Sequence, residues 1–478
     1  MSPSKLDHQA FTSTHRMFMM MAICMGAFIS HFTAGIVNVS LPRFVNIFET
    51  SLSMVQWVTT GYLLVIASLL PVMGKLGDRY GYRLIHNLGY VCFSVSSILV
   101  AFSPNISVMI ILRMVQAIGA AMFQATNIAI ISIYLPKEKR GRALGMVSTA
   151  VAIGGMSGPI AGGFIAEWLS WQWLFLIHVP AALIATWLAF RYIPVRRPER
   201  KLVPHDRVGA LLFIISIATV IYGISNGTAW GWTSSATIAV MTLAIVALIS
   251  LLLWELRQEF PFLPLQALRN PAVSFGLIVS CASFVMANTV LVAMPFYLTG
   301  TAGLSPLTAG YFMTAYPVLL AFTGPVAGYL SDRYGSRRFM FFGLFAMGSG
   351  ISFFALYPEQ LPTVWIVSAL AVIGLGMGLI ASPNNSFIMQ HAPTEQAGSI
   401  GGMIALTRNA GMVLGAALGL GVMNGGIGQG QAPLFQAFKA VFEVNVFICI
   451  GAMVILGYGI RLQARRGKSC GKDKASLF

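Results

Sequence analysis

Residues 71–83 read Pro-Val-Met-Gly-Lys-Leu-Gly-Asp-Arg-Tyr-Gly-Tyr-Arg, and residues 325–337 read Pro-Val-Ala-Gly-Tyr-Leu-Ser-Asp-Arg-Tyr-Gly-Ser-Arg. The two stretches are identical at 9 of 13 positions. Each one ends a long apolar run and leads into another through a charged turn punctuated by glycine. An internal repeat of this kind predicts that the chain is built from two related halves.

The composition outside the repeat is that of a membrane protein. The chain has 478 residues, of which 57% are hydrophobic and only 9% are charged, whereas soluble proteins carry about 25% charged residues. Apolar runs of about 20 residues, each long enough to cross a bilayer, recur from end to end. We therefore predict an all-α polytopic membrane protein with its surface in the lipid bilayer.

Charge, proline and glycine delimit fourteen predicted spans. They cover residues 17–41, 55–73, 86–103, 106–126, 142–166, 172–192, 208–227, 235–256, 272–296, 307–327, 339–357, 362–384, 399–423 and 437–460. Of the 30 Lys and Arg residues, only Arg43 and Lys439 fall on one side, while Arg113 and Arg408 lie within spans. By the positive-inside rule the crowded side is cytoplasmic, as are both termini. The net charge of +16 therefore reflects topology, and we expect no nucleic-acid partner.

The repeat also predicts the domain organisation, because both copies join the second and third helices of a six-helix set. We expect an N-terminal bundle (1–192), a basic linker (193–207), two inserted helices (208–256), a C-terminal bundle (257–460) and a basic tail (461–478). The five cysteines show no pair spacing, so we expect neither a disulfide framework nor a metal site. We also expect no cofactor, and a monomer.

Several motifs resemble one known family. The pattern Gly-x-Leu-x-Asp-Arg-x-Gly-x-Arg in the repeat looks like the signature loop of the major facilitator superfamily. Arg113-Met-Val-Gln116-Ala-Ile-Gly119 is similar to a motif of its proton-coupled members, with Ala117 in place of a glycine, and residues 154–163 resemble the antiporter motif of the fifth helix. Ile36-Val-Asn38-Val-Ser-Leu-Pro42 and Trp230-Gly-Trp232 point to the fourteen-helix drug/proton antiporter family.

The resemblance implies that the repeated stretch is an inner gate, which latches when the central cavity faces outward. Gly74 and Gly328 would let helices approach closely, Gly81 and Gly335 would permit a tight turn, and Asp78 and Asp332 would accept hydrogen bonds at a helix start or pair with arginine. The arginines could instead simply anchor the inner face. The expected gate residues are Gly74, Asp78, Arg79, Gly81, Arg83, Gly328, Asp332, Arg333, Gly335 and Arg337.

In the fifth helix, Gly154, Gly158 and Gly162 recur at intervals of four and so predict a face on which a neighbouring helix packs backbone to backbone. Pro159 predicts a kink, because it lacks a backbone N–H. The resemblance implies that this bend limits leak and favours exchange. Tight packing alone is the alternative.

Arg113 is an intramembrane charge, which by default indicates function. Gln116 shares its helix face, and the resemblance links Arg113 to proton coupling; the alternative is that Arg113 only ties helices together. No Asp or Glu falls clearly near the middle of a span, and Thr33 occupies the position where cation exporters of the family have an acid. His31 is then the best titratable candidate for proton coupling, followed by His178 and Glu443. The alternative for each histidine is a hydrogen-bonded interior side chain, and the alternative to a cavity position for Arg408 is a structural role.

These features predict a secondary exporter of amphipathic small molecules in the bacterial inner membrane, not an enzyme, that exchanges its substrate for protons by rocking two halves around a midplane cavity. Because a cavity with arginine and no carboxylate disfavours permanent cations, neutral, zwitterionic or weakly acidic substrates fit best. A dedicated exporter of one anionic or zwitterionic metabolite is the alternative. The predicted cavity residues are His31, Thr33, Asn38, Gln56, Tyr62, Arg113, Gln116, Gln124, Asn288, Tyr316 and Arg408.

Overall fold

The computed structural model describes residues 13–135, 137–194, 206–258, 268, 270–356, 362–391, 397–428 and 434–475. All regular structure within these ranges is helical, and 14 helices are long and apolar enough to cross a membrane. We number them α1 (Ser13–Asn38), α2 (Leu52–Tyr80), α3 (Tyr82–Ala101), α4 (Ile106–Tyr134), α5 (Lys137–Trp168), α6 (Val179–Tyr192), α7 (Arg207–Trp230), α8 (Ser235–Glu255), α9 (Pro271–Phe296), α10 (Pro306–Met313 and Ala315–Tyr334), α11 (Ser336–Leu356), α12 (Thr363–Gln390), α13 (Ala397–Gly428) and α14 (Leu434–Ala475). The predicted fold class is confirmed.

Three short elements lie at the connections. Leu41–Ile47 and Trp173–Leu176 are short helices before α2 and α6, and the π-helical turn Tyr297–Thr301 extends α9. The basic segment after residue 460 does not begin as a separate tail, because α14 continues as a helix to Ala475. Most of the predicted linker, residues 195–205, lies outside the described residues.

The two halves use the same helix pairings. In the first half α1 packs against α5, and α4 packs against both α2 and α3. In the second half α9 packs against α13, and α12 packs against both α10 and α11. The repeated sequence therefore corresponds to a repeated arrangement of helices.

The repeated stretch itself is mostly helical, which corrects the prediction of a loop. Helix α2 continues to Tyr80 and α10 to Tyr334, so Asp78 and Asp332 lie in last helical turns, not in loops or at a helix start. Only Gly81 (φ 95°) and Gly335 (φ 89°) leave the helical conformation. No residue between Pro71 and Gly81 stops the helix, whereas the positive φ at the turn is one that glycine adopts without strain.

The two ends of the molecule differ in how the halves meet. We call the end that holds Gly81 and Gly335 the basic face, and the opposite end the distal face. At the distal face, Glu167 of α5 accepts a hydrogen bond from the Leu307 backbone N–H of α10 at 3.1 Å. A Cβ on Gly163 would lie 2.6 Å from the Pro306 carbonyl, and one on Gly310 would lie 2.5 Å from the Pro159 carbonyl. The halves are in close contact there.

Glycines near the basic face have open space beside them. A Cβ built on Gly74, Gly324, Gly401 or Gly402 would meet no atom within 4 Å. Gly74 makes no close helix contact in this conformation, and its expected role in helix approach stays a prediction. At the equivalent position Gly328 does lie directly against Ser382 of α12.

The inserted helices α7 and α8 cover the seam between α2 and α13, so they touch both halves. Near the basic face, Ala210, Phe213 and Leu251 of the inserted pair form a small core with Val72 of α2 and Leu406 of α13 packed against it. The inserted pair therefore contacts both halves close to Gly74 and Gly402, the glycines with open space beside them.

The distal half of this seam is held by polar and aromatic contacts. Gln56 of α2 donates a hydrogen bond to the Ser225 carbonyl of α7 at 3.5 Å, and the rings of Trp57 and Tyr222 lie 5.6 Å apart. A Cβ on Gly421 of α13 would lie 3.0 Å from the Ser225 carbonyl. Helix α7 thus bridges the halves along most of its length.

Candidate functional site at the seam

The glycine face of α5 packs on α1 as predicted. A Cβ on Gly158 would lie 3.0 Å from the Gly35 Cα, and Gly154 and Gly162 lie directly against the carbonyls of Phe28 and Ile36. The opposite side of α5 meets α10 through Pro159. The prediction of backbone-to-backbone packing is confirmed, and it places α5 between its own bundle and the other half.

Arg113 lies inside the first half and is fully buried. Its Nη1 donates to Gln116 Oε1 at 2.5 Å, and its Nε donates to the Val58 carbonyl of α2 at 3.4 Å. The guanidinium lies 4.0 Å from the ring centroid of Tyr62 and 5.6 Å from that of Phe175. Carbonyl and amide acceptors and two cation–π contacts partly offset the missing water, while Nη2 makes no hydrogen bond to the described residues.

The polar cluster extends beyond Arg113 toward the distal face. Gln116 Nε2 donates to Ser97 Oγ at 2.6 Å and lies 3.5 Å from His178 Nε2. His178 Nε2 is in turn 3.2 Å from Ser97 Oγ. Nothing in the sequence pattern singled out Ser97, because serine is common in apolar helices; its role depends on how α3, α4 and α6 meet.

His31 and Arg408 lie on opposite sides of the seam. His31 of α1 is hydrogen-bonded through Nδ1 to the Ala27 carbonyl at 3.0 Å, and it stays partly exposed. Arg408 of α13 is also partly exposed, and its positive charge is close enough to act on the His31 ring. Each half therefore contributes one partly exposed residue of the predicted cavity set.

The other predicted cavity residues divide into two groups. Gln124 is partly exposed and donates to Ser30 Oγ at 2.6 Å. The rest are buried between helices, where Asn38 accepts from Thr59 at 3.0 Å and Asn288 donates to the Met412 carbonyl at 2.5 Å. The buried members of the set are Thr33, Asn38, Gln56, Tyr62, Arg113, Gln116, Asn288 and Tyr316. In this conformation only His31, Gln124 and Arg408 are partly exposed.

Glu443, the fallback for proton coupling, is exposed on α14. It shares no contact with His31 or Arg408, so it does not join the seam. No group of three metal-ligating side chains occurs in the described part of the chain.

The sequence missed an acidic pair at the basic face. Asp206 accepts hydrogen bonds from the Gly209 backbone N–H at 2.8 Å and from Trp254 Nε1 at 2.9 Å, and Glu255 is buried beside it at 2% exposure. The charges of both, and of Asp78, act on Lys75 of α2. The sequence did contain a signal for this pair. Asp206 and Glu255 lie at the two ends of the inserted pair of helices, and Lys75 lies in the repeated stretch.

Val72 and Lys75 of the repeated stretch interact with the inserted helices, whereas the following contacts around its turn lie within each half. Asp78 accepts a hydrogen bond from the Tyr82 hydroxyl, and Arg83 donates to the Phe190 carbonyl of α6 at 2.6 Å. In the second copy, the Arg337 guanidinium lies 5.4 Å from the Phe387 ring centroid of α12. The structure does not describe the side chain of Asp332. These contacts leave both turns free of links between halves, as expected where the basic face is open.

Two related helical bundles around a polar seam, closed at one end and separated at the other, define a membrane transporter. The chain belongs to the Major Facilitator Superfamily, whose sequence model matches residues 23–416.

Similar proteins include transporters of several kinds. The chain is 33% identical to the riboflavin transporter RibZ of Clostridioides difficile, over 83% of this chain and 85% of that protein. It is 28% identical to the multidrug resistance protein Stp of Mycobacterium tuberculosis (84% and 74% covered), and 27% identical to the tetracenomycin C resistance and export protein of Streptomyces glaucescens (84% and 75%). The crystal structure of the nucleoside transporter NupG has the same fold, with a TM-score of 0.62 at 13% identity over 91% of this chain and 99% of that one.

Proposed function

We propose that this protein is a secondary exporter, which carries amphipathic small molecules out of a bacterial cell across the inner membrane in exchange for protons. The observation that carries the proposal is the position of His31 and Arg408. His31 belongs to the first half and Arg408 to the second, both are partly exposed, and the halves are in contact at the distal face through Glu167 and Leu307. A substrate bound between them would be exposed to each side in turn as the halves rock.

Three further features support export. The basic face carries most of the Lys and Arg residues, so the positive-inside rule makes it cytoplasmic and the seam opens toward the cell interior. The relatives Stp and the tetracenomycin C protein are named for resistance. Helix α5, whose glycine face resembles the antiporter motif and packs on α1, meets α10 of the other half through Gly163 and Pro159. We propose that the protein works as a monomer, with His31 as the titrating group and Arg113 supporting it.

A dedicated exporter of one anionic or zwitterionic metabolite is the second candidate. Arg408 favours it, because an arginine without an acidic partner suits a negatively charged group. The relative named a riboflavin transporter makes riboflavin one compound to include in the test.

The test uses inside-out vesicles that contain the purified protein, with an imposed pH gradient, acid inside. Neutral N-phenyl-1-naphthylamine, anionic anilinonaphthalene sulfonate, cationic ethidium and riboflavin are offered in turn, and protein-free vesicles give the background. We expect gradient-driven accumulation of the neutral and anionic compounds, abolished by a protonophore.

Accumulation of ethidium alone would contradict the proposed substrate class. Transport that continues unchanged after addition of the protonophore would contradict proton exchange. Accumulation of riboflavin and of nothing else would favour the dedicated exporter.

A further inference from the structure

Two carboxyl groups meet at the basic face, at the ends of the inserted helices. Asp206 directly precedes α7, and Glu255 is the last residue of α8. A Cβ built on Gly209 would collide with Asp206 Oδ2 and would lie 2.8 Å from Glu255 Oε1. Both of these oxygens are enclosed by the protein. The two carboxyl groups therefore converge on one position, beside the bare backbone of Gly209.

The surroundings of Asp206 favour its ionised form. Its Oδ1 accepts hydrogen bonds from the Gly209 backbone N–H at 2.8 Å and from Trp254 Nε1 at 2.9 Å. Asp206 also caps the N-terminus of α7, where the helix dipole stabilises negative charge. Its Oδ2, in contrast, accepts no hydrogen bond from the described residues. Asp206 therefore lacks a donor on the side where Glu255 Oε1 also lies.

Glu255 is in the opposite situation. It is only 2% exposed, and burial disfavours the charged form of a carboxyl group. It also ends α8, where the helix dipole disfavours negative charge. Two neighbouring carboxyl groups do not readily ionise together. A protonated Glu255 would supply the hydrogen atom that Asp206 Oδ2 lacks, in a charge-assisted O–H···O bond.

The cations near this pair are too few to balance it. Val72 of α2 packs on the inserted helices, and Lys75 lies one helical turn further toward the basic face. The Lys75 charge interacts with Asp206, Glu255 and Asp78, so one ammonium group serves three carboxyl groups. The other charged residues that the structure describes near the basic ends of α2, α7, α8 and α13 are the exposed Arg79, Arg207 and Arg257, and the partly exposed Arg408.

We propose that Asp206 and Glu255 form a proton-binding site at the basic face, in which Glu255 holds the proton and donates its O–H to Asp206 Oδ2. Loss of the proton leaves a second negative charge, which Lys75 of α2 is placed to compensate. The deprotonated inserted pair should therefore hold α2 more strongly. This site is separate from His31, and it stands whether or not the protein is an exporter.

The test is infrared spectroscopy of the carboxylic acid C=O stretch. Purified full-length protein is measured in dodecyl maltoside, a detergent without a C=O group, at about pH 7, where ordinary carboxyl groups, which titrate near about pH 4, are ionised. We expect a band from one protonated acid in the wild type, and we expect Glu255→Gln and Asp206→Asn each to lose it. The second loss follows because Glu255 can ionise and pair with Lys75 once the Asp206 charge is removed. Glu443→Gln, the same change at an exposed position of α14, is the matched control and should keep the band.

A wild-type spectrum without this band, or a band that survives in Glu255→Gln, would overturn the site. A band that Glu255→Gln removes and Asp206→Asn keeps would overturn it too, because the proton would then not be shared. If these variants are not monodisperse, Gly209→Ala decides, since its methyl group would lie against both oxygens while both acids remain. The band should then shift as the O–H···O bond lengthens, and an unshifted band would refute the pairing. Gly451→Ala, which has open space on α14, should leave the band where it is.

Discussion

Arg113 and Arg408 are both arginines within spanning helices, but their surroundings differ. Placing arginine near the centre of a bilayer costs about 3 kcal/mol or more. Arg113 offsets this cost with protein contacts, so its removal would disturb the first bundle. Arg408 makes no hydrogen bond to the described residues, and its Nε is enclosed. The two arginines therefore differ in how far protein contacts offset the cost of their burial.

At the residue scale His31 gives the clearest test of proton coupling. We expect His31→Gln to abolish the response of transport to a pH gradient, because glutamine keeps a hydrogen-bond donor for the Ala27 carbonyl but cannot titrate. Counterflow of substrate without a gradient should persist. Both are measured in the same proteoliposomes.

His391→Gln is the matched control, because His391 also bonds a carbonyl four residues back, that of Phe387 at 2.8 Å, but lies at the end of α12. A His31→Gln protein that still responds fully to the gradient would remove His31 from the mechanism.

Much of this residue-level arrangement was accessible from sequence. Arg113 and Gln116 share a helix face by spacing, and their hydrogen bond follows from that. The difference between Arg113 and Arg408 did not follow, because it depends on Tyr62, Phe175 and Val58, which reach Arg113 from other helices. Pairings between distant segments carry no local signal in a single sequence.

At the scale of elements, the packing of α5 on α1 depends on glycine at successive turns, Gly154, Gly158 and Gly162. We expect Gly162→Ala to lower stability by about 1–3 kcal/mol, the usual range for overpacking, because the added methyl meets the Ile36 carbonyl. Gly155→Ala has open space and should be neutral or stabilising by up to about 1 kcal/mol, through helix propensity. The measurement is the temperature at which the purified protein loses its monodisperse peak.

Equal stability of these two variants would contradict close packing along this face. The pair is informative because the two glycines lie in the same helix and receive the same change, so any difference between them reports on the neighbouring helix.

The number of elements followed from the sequence, whereas several of their ends did not. Hydropathy marks the apolar core of each span, but α2 continues seven residues past its predicted end, from residue 73 to Tyr80. Lys75, Asp78 and Arg79 look like loop residues by charge, yet nothing in them prevents a helix. Glycine with positive φ, not charge, ends the helix there.

For the whole molecule, the contact between the halves at the distal face would belong to one state of the proposed two-state cycle. Because the inserted helices contact both halves, they either move with one half or keep the two halves in a fixed relative position. Asp78 has no contact across the halves in this state, which agrees with a latch that forms only when the basic face closes. This gate role remains a prediction.

The distal contact between α5 and α10 offers a direct test of that cycle. We expect Glu167→Cys combined with Leu307→Cys to form a cross-link under oxidation, because the Glu167 carboxylate lies 3.1 Å from the Leu307 nitrogen. The cross-link should stop transport, since the distal face must open to release substrate, and reduction should restore it. Each single variant under the same oxidation is the control for the native cysteines. Full transport by the cross-linked protein would mean that the halves do not separate at this contact, and alternating access around the His31–Arg408 seam would then be wrong.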